Sequence, residues 1–505
     1  MKDPKDLHTI IKSLTKAEKR IFKMNVGSIQ KNNNNYTLLF DAIDAQEIYD
    51  EIKLQRKLKK HTFSKQISRT KYLLYEQILK VLRQLYGKHS ERTKLLRIIE
   101  SVDVLFSKTL YKQAYTAIKR AKKIAIANEL FGLQQIIMDQ EQRLLPYVEN
   151  HKTITHAIKQ LLQSYEQVAH NTRLENAYRT LHASVRLYYD TLLNFHEIDQ
   201  IRERFDKIMQ DRLMQNEATA TTFLSKILFY EIHFLNAHIR SDFQKAQLLG
   251  DTLFDMWQQR PEMRMVFPVA YIRQLRDYTF WKISIENDEK SVQKLLDAWE
   301  VLPITSKEEA AKYALEINLI KVLIQVVNRS YTDLEIFYQQ LKADNFASLK
   351  KLTIQQQITT FYHLAVYHFF EKRYAETSQL IEKVDALAGK KLLPHLLKYV
   401  RLMELIVRYE SEEYEIEDKD ILRIHRHLVS LGALGRIEKM LLQSIKKLMN
   451  LPILDEVPPV VFELKRALEL NQHNLSPTSK TMSYQIIRNW VEDTISKNKR
   501  QWISA

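Results

Sequence analysis

Apolar side chains recur along this chain at three- and four-residue intervals, the spacing that keeps them on one face of an α-helix. Ile67, Leu74, Ile78, Leu82 and Leu85 are one such face. The pattern predicts helices near residues 36–45 and 47–60 and a long one from Thr62 to Tyr86. It predicts further long helices at Thr219–Ile239, Glu262–Glu286 and Lys307–Asn328. Thr15 followed by Glu18 is a capping box that opens a helix through Lys16–Phe22. Gly27 and Asn32–Asn35 predict a loop. Pro303, Pro394 and Pro452 fall at helix boundaries, whereas Pro268 lies inside an apolar pattern and must start a helix or kink it. Near the end, Val460–Leu470 and Thr481–Lys497 read as two more helices, the second turning Trp490 and Val491 inward while Lys497, Lys499 and Arg500 stay solvated.

A longer period lies over this one. An aromatic or polar residue, a residue three on, an apolar residue four further and another three beyond recur as Tyr111-Ala114-Ile118-Ala121, His151-Ile154-Ile158-Leu161 and Phe195-Ile198-Arg202-Phe205. The series continues with Phe243-Ala246-Gly250-Leu253, Asp288-Ser291-Leu295-Ala298, Tyr331-Leu334-Tyr338-Leu341, Tyr374-Thr377-Ile381-Val384 and a degraded Glu417-Asp420-Ile424-His427. Successive first positions stand 40, 44, 48, 45, 43, 43 and 43 residues apart. Tyr111-Lys112-Gln113-Ala114 with Ile118 and Ala121, Asp242–Ala246, and the turn Phe370–Glu376 resemble the tetratricopeptide repeat (TPR) over residues 93–450. These units run longer than the family's roughly 34 residues. The resemblance implies a right-handed α-α solenoid of TPR-like helical hairpins: an all-α protein with a small N-terminal helical domain (1–92), the repeat array (93–450) and a C-terminal capping helix pair with a basic tail (451–505). One hairpin cannot bury both its apolar faces, so it stacks on its neighbours.

Composition agrees. Seven Gly and ten Pro among 505 residues leave few breakers, and there is no cysteine. Disulfides, thiolate zinc sites and a cysteine nucleophile are thereby excluded. The segment after Met1 has no apolar signal core, and no apolar run reaches the roughly 18–20 residues of a membrane span, so a cytoplasmic protein without membrane insertion is expected. Phosphate-loop, dinucleotide-binding, zinc-protease and serine-hydrolase motifs do not occur, and neither an enzyme nor a cofactor is expected. Gly432 and Gly435 read as a helix terminus, and the acidic run Glu410–Asp420 as a loop that also places negative charge at the next helix N-terminus.

The charge is local. Lys+Arg against Asp+Glu counts 8 and 8 over residues 1–52, 20 and 4 over 53–123, and 49 and 49 over 124–505, so the whole excess of +16 sits in 71 residues. Lys53, Arg56, Lys57 and Lys60 share one helix face; Lys65, Arg69, Lys80 and Arg83 form a stripe on the next helix, interrupted by Tyr72 and Glu76. A solvated surface is one reading, and attraction to nucleic-acid phosphates another. His61-Thr62 resembles the turn of a helix-turn-helix, which puts Lys65, Gln66 and Arg69 early in a recognition helix.

Two functions follow as expectations. One is a non-enzymatic scaffold or adaptor that binds a protein or peptide on its helical-repeat surface. TPR arrays clamp carboxylates from their first helices, yet those positions here hold Ala183, Leu187, Leu319, Leu323, Tyr362 and Val366. Arg273 and Arg276 are the only basic pair there, and so the candidate groove contacts. The alternative is a nucleic-acid-binding regulator, similar to bacterial receptors that join a helix-turn-helix to a TPR array, with residues 53–123 as the contact.

Overall fold

With so few residues opposing a helix, the structure is decided by where helices stop. The computed structural model describes residues 5–29, 34–86, 90–192, 198–240, 242–285, 289–302, 307–328, 332–388, 394–411, 416–432, 434–450, 459–470 and 483–503. Every regular element among them is helical. The chain forms two compact units, Met1–Ile124 and Ala125–Ala505.

The first unit holds α1 (Lys5–Ser13), α2 (Lys16–Ile29), α3 (Asn34–Asp44), α4 (Glu51–Leu58), α5 (Ile67–Tyr86), α6 (Glu91–Ser107) and the start of α7 (Tyr111–Ala127). Thr15 and Glu18 close their capping box: the Thr15 N–H donates to the Glu18 carboxylate at 2.7 Å, and the Glu18 N–H to the Thr15 hydroxyl at 3.3 Å. The side chain of Asp50 accepts from the Lys53 N–H and starts α4 four residues later than periodicity places it. The predicted long helix begins as a 3-10 turn, Thr62–Gln66, before α5 proper. Helix α3 packs on α1, α2, α4 and α5. Leu39, Phe40 and Ile43 of α3 meet Phe22, Leu54, Leu74 and Ile78 in one apolar cluster, with the Phe22 and Phe40 rings stacked at 4.9 Å. That cluster reaches Val81 and Leu85, short of the boundary drawn at 92, while the compact unit extends to Ile124.

The second unit continues with α8 (Phe131–Val148), α9 (His151–Leu192), α10 (Ile198–Met209), the short α11 (Arg212–Gln215), α12 (Phe223–Ile239), α13 (Phe243–Gln259), the short α14 (Glu262–Val266) and α15 (Pro268–Ile285). It ends with α16 (Glu289–Glu300), α17 (Lys307–Asn328), α18 (Thr332–Ala343), α19 (Ile354–Phe370), α20 (Tyr374–Leu387), α21 (Pro394–Glu410), α22 (Asp418–Ser430), α23 (Arg436–Met449), α24 (Pro459–Leu470) and α25 (Ser483–Ile503). Pro268 and Pro394 start α15 and α21, where a missing N–H costs nothing. Sequence neighbours pack as pairs: α12 on α13, α15 on α16, α17 on α18, α19 on α20, α21 on α22, α23 on α24. Each pair's first helix also meets the next pair's first helix along α15, α17, α19, α21 and α23.

The described first positions of the sequence pattern fall at helix starts. Tyr111, His151, Phe243 and Tyr374 are the first residues of helices, and Glu417 is an N-cap; Phe195, Asp288 and Tyr331 lie outside the described residues. Ala114, Ile118, Ala121, Ala246, Gly250, Leu253, Thr377, Ile381 and Val384 are all buried. Gly250 is required by packing, because a Cβ there would collide with the Tyr278 ring. The second repeat departs. Its pattern implies a helix from His151 and a separate one through Ala183 and Leu187, yet α9 runs unbroken for 42 residues, and Ile158 is 41% exposed. No Gly or Pro interrupts residues 151–192, so nothing local ends the helix.

Several turns between helices manage without glycine. Thr109, Glu129 and Lys372 take the left-handed conformation (φ 61°, 51° and 58°). The residue after each donates to a carbonyl five positions back: Leu110 to Leu105, Leu130 to Ala125, Arg373 to His368. Helices α24 and α25 pack together and α25 also packs on α21, with Trp490 and Val491 buried. The side chains of Lys497, Lys499 and Arg500 lie outside what is described.

Candidate functional site

The first unit carries 28 Lys and Arg against 12 Asp and Glu, and the second carries equal numbers. From Lys53 to Tyr75 there is no acidic residue at all. Leu54 and Leu58 turn α4 inward, which leaves Lys53, Arg56, Lys57 and Lys60 exposed. Ile67, Thr70, Leu74, Ile78 and Val81 do the same for α5, which leaves Lys65, Arg69, Lys80 and Arg83 exposed. All eight sequence candidates therefore face solvent. Lys53 leans on Asp50 at 3.6 Å and Arg83 on Glu76 at 3.5 Å. Arg56, Lys57, Lys60, Lys65, Arg69 and Lys80 have no acidic partner among the described residues. Lys59 and Gln66 are exposed beside them, and Tyr72 stands 49% exposed on the same stripe.

One cation of this segment is structural. Lys71 is 4% exposed; its ammonium meets the Glu51 carboxylate at 2.5 Å and the Tyr49 hydroxyl at 2.9 Å. Composition counts it with the rest, and only tertiary packing separates it.

The groove candidates in the second unit are engaged differently. The Arg273 guanidinium makes a two-pronged pair with Glu231, at 3.0 and 2.9 Å. Glu231 also receives Gln274 and lies 2.8 Å from His182. Although burial opposes it, the contacts with His182 and the Arg273 guanidinium hold the Glu231 carboxyl far below the usual carboxylate range. Arg276 is half-buried, 3.5 Å from Asp277, which is itself paired with Arg186. Of the first-helix clamp positions, Leu319, Tyr362 and Val366 are buried, Leu187 is 65% exposed, and the side chain of Leu323 lies outside the described residues. Every residue from Thr360 to Phe369 is buried, so that part of α19 is covered on all faces.

A small cavity with about 20 Å³ of free space, lined by Glu231, Phe234, Gly250, Trp257, Gln274 and Tyr278, has room for about one water. His363 and His368 are buried on α19, and burial lowers each to about 4. Neither ring nitrogen of His368 meets a hydrogen-bond partner among the described residues, and the ring packs edge-on against Tyr338 at 4.2 Å. Among the described residues no three His, Asp or Glu stand close enough to hold a metal ion, and no helix is long and apolar enough to cross a membrane. No protein-family model, no curated protein and no solved structure matches this chain.

Proposed function

We propose that this chain is a non-enzymatic macromolecule-binding scaffold: a right-handed α-α solenoid of divergent TPR-like hairpins over residues 93–450, with a helical domain before it and a capping pair after it, holding a protein or peptide on its repeat surface. One observation carries the proposal. Most described inner positions of the 43-residue register are buried, Ile158 being the main exception, and first helix packs on first helix from α15 to α23, as stacking of incomplete hairpins requires. Burial of Leu319, Tyr362 and Val366 moves the binding face away from a first-helix clamp. The second helices remain open: α13 exposes Leu248, α18 exposes Ile336, and α22 exposes Leu422 and Val429. Exposed apolar residues recurring along an array suit a protein partner better than a small molecule.

A photo-reactive residue placed singly at Leu248, Ile336 or Leu422, in cells that make the chain, should trap the same discrete partner from at least two sites. Arg276 is the control on the first-helix side. Trapping from Arg276 alone would return the contact to the first helices, and trapping from none would remove the scaffold proposal.

A further inference from the structure

We infer that the α3–α4–α5 portion of the first unit binds double-stranded DNA, with the N-terminal half of α5 in the major groove and the cations of α4 and the following turn on the flanking phosphates. This does not rest on what the hairpin array binds.

Geometry comes first. Helix α4 ends at Leu58, residues 59–61 turn, and the chain re-enters a helix through Thr62–Gln66 into α5. Helix α3 packs on both α4 and α5, and Leu54, Leu58, Phe63 and Ile67 share its apolar cluster. Two helices joined by a short turn are thus fixed to a third from within, and their outer faces are left to a ligand. A helix-turn-helix is built this way so that its second helix can enter a groove as a rigid body.

The outer faces then say which ligand. Seven exposed cations (Lys53, Arg56, Lys57, Lys59, Lys60, Lys65 and Arg69) lie within seventeen residues that contain no acid. Like charges at this density repel and weaken the compact state. The second unit, with 49 charges of each sign, shows that this chain can balance charge elsewhere. A polyanion with regularly spaced phosphates relieves the repulsion by displacing its own counterions. The 3-10 turn and the exposed start of α5 add side chains of base-reading type. Arg69 can fork onto guanine and Gln66 onto adenine, and Tyr72 offers an apolar face next to them. An α-helix fits the major groove of B-form DNA but cannot enter the deep, narrow one of A-form RNA, which selects DNA over an RNA duplex.

The test uses the full chain and a labelled 20-bp DNA duplex of random sequence, followed by anisotropy. Binding should appear at 50 mM salt and weaken about a thousandfold by 200 mM, as roughly six phosphate contacts require. Changing Arg56, Lys57, Lys60 and Arg69 together to Ala should remove about three units from that salt slope, one for each of the three phosphate contacts, and the base contact of Arg69 with them. All four are exposed, so the helical circular-dichroism signal should not change. Glu76→Gln, which removes the acid on the stripe, should tighten binding roughly twofold or more. An RNA duplex of the same sequence should bind at least tenfold more weakly. Absence of DNA binding at 50 mM salt, or binding indifferent to the fourfold variant, would overturn the inference. RNA binding as tight as DNA binding would also overturn it, since the surface would then be a polyanion contact without groove entry.

Discussion

In the second unit 49 basic residues meet 49 acidic ones, and the charges that enter its interior are tied across helices far apart in sequence. Arg273 reaches Glu231 and Lys398 reaches Glu438 at 2.5 Å, while Arg401 ties Glu404 of its own helix to Asp385 of the preceding one. The first unit has 28 against 12, buries Lys71 on Glu51, and leaves the other described cations from Lys53 to Arg83 exposed. The contrast separates two uses of the same residue types. Buried pairs are weak net stabilisers, but they penalise any packing that breaks them and so help specify which helices meet. Exposed like charges specify nothing inside the fold and raise its energy slightly, so they matter for what lies outside it.

The contrast can be broken most directly at Glu231. Glu231→Ala strands Arg273 and His182 in the interior and should destabilise the second unit by about 3–5 kcal/mol. Lys57→Ala or Lys60→Ala in the first should stay within about 0.5 kcal/mol. All five tryptophans (257, 281, 299, 490, 502) lie in the second unit, so urea unfolding followed by tryptophan fluorescence reads that unit alone. A loss below about 1 kcal/mol for Glu231→Ala would dissolve the distinction.

The next effect is one of pH. His363 and His368 are neutral when folded, each lowered by burial to about 4 from 6.5. As pH falls below 6.5 the unfolded chain takes up the protons first. The stability from keeping these rings neutral is therefore complete above 6.5 and is lost between 6.5 and 4, at up to about 1.4 kcal/mol per pH unit for each ring. The tryptophan-detected midpoint should fall from pH 7.5 to 5.5. His368→Phe should flatten that fall, because it keeps the contact with Tyr338 and removes two unpartnered nitrogens.

Salt should act in the opposite region. Raising it from 50 to 500 mM should slow amide exchange in α2–α5 several-fold, on the order of 1 kcal/mol, by screening the excess of cations. Exchange in α19–α21 should hardly respond. The smallest effect ignores charge altogether: Thr109→Gly in the first unit and Lys372→Gly in the second should each gain about 0.5–1 kcal/mol in thermal melts, because both relieve a left-handed residue. Unequal gains would mean that the turns differ in more than backbone strain.

Much of the helical framework was legible in the sequence because its signals are local. Pro268 and Pro394 mark helix starts, Thr15 and Glu18 cap each other, and the 43-residue register puts Phe243 and Tyr374 at the first residue of a helix. The basic stripes on α4 and α5 were legible for the same reason, since the apolar face of a helix fixes its exposed one. Pairings across the fold were not. Lys71 differs from Arg69 only because Glu51 lies twenty residues back, and Arg273 read as a groove contact because its partner Glu231 stands 42 positions away. The continuity of α9 escaped the repeat pattern, which marks where helices begin but not whether one runs into the next. The burial of Thr360–Phe369 of α19 on all faces depends on the helices packed around it, and no property of its own sequence announces that.

Helix α9 carries a consequence for how the second unit comes apart. At 42 residues it is about 63 Å long, and it packs on α8 as well as on α10 and α12. In a stack of separate hairpins each interface is a place where unravelling can pause, and end repeats fray in steps. Here adjacent hairpins share a member, so neither can open without withdrawing the helix the other leans on. Residues 131–239 should melt as one block, and the helix pairs beyond it should open separately.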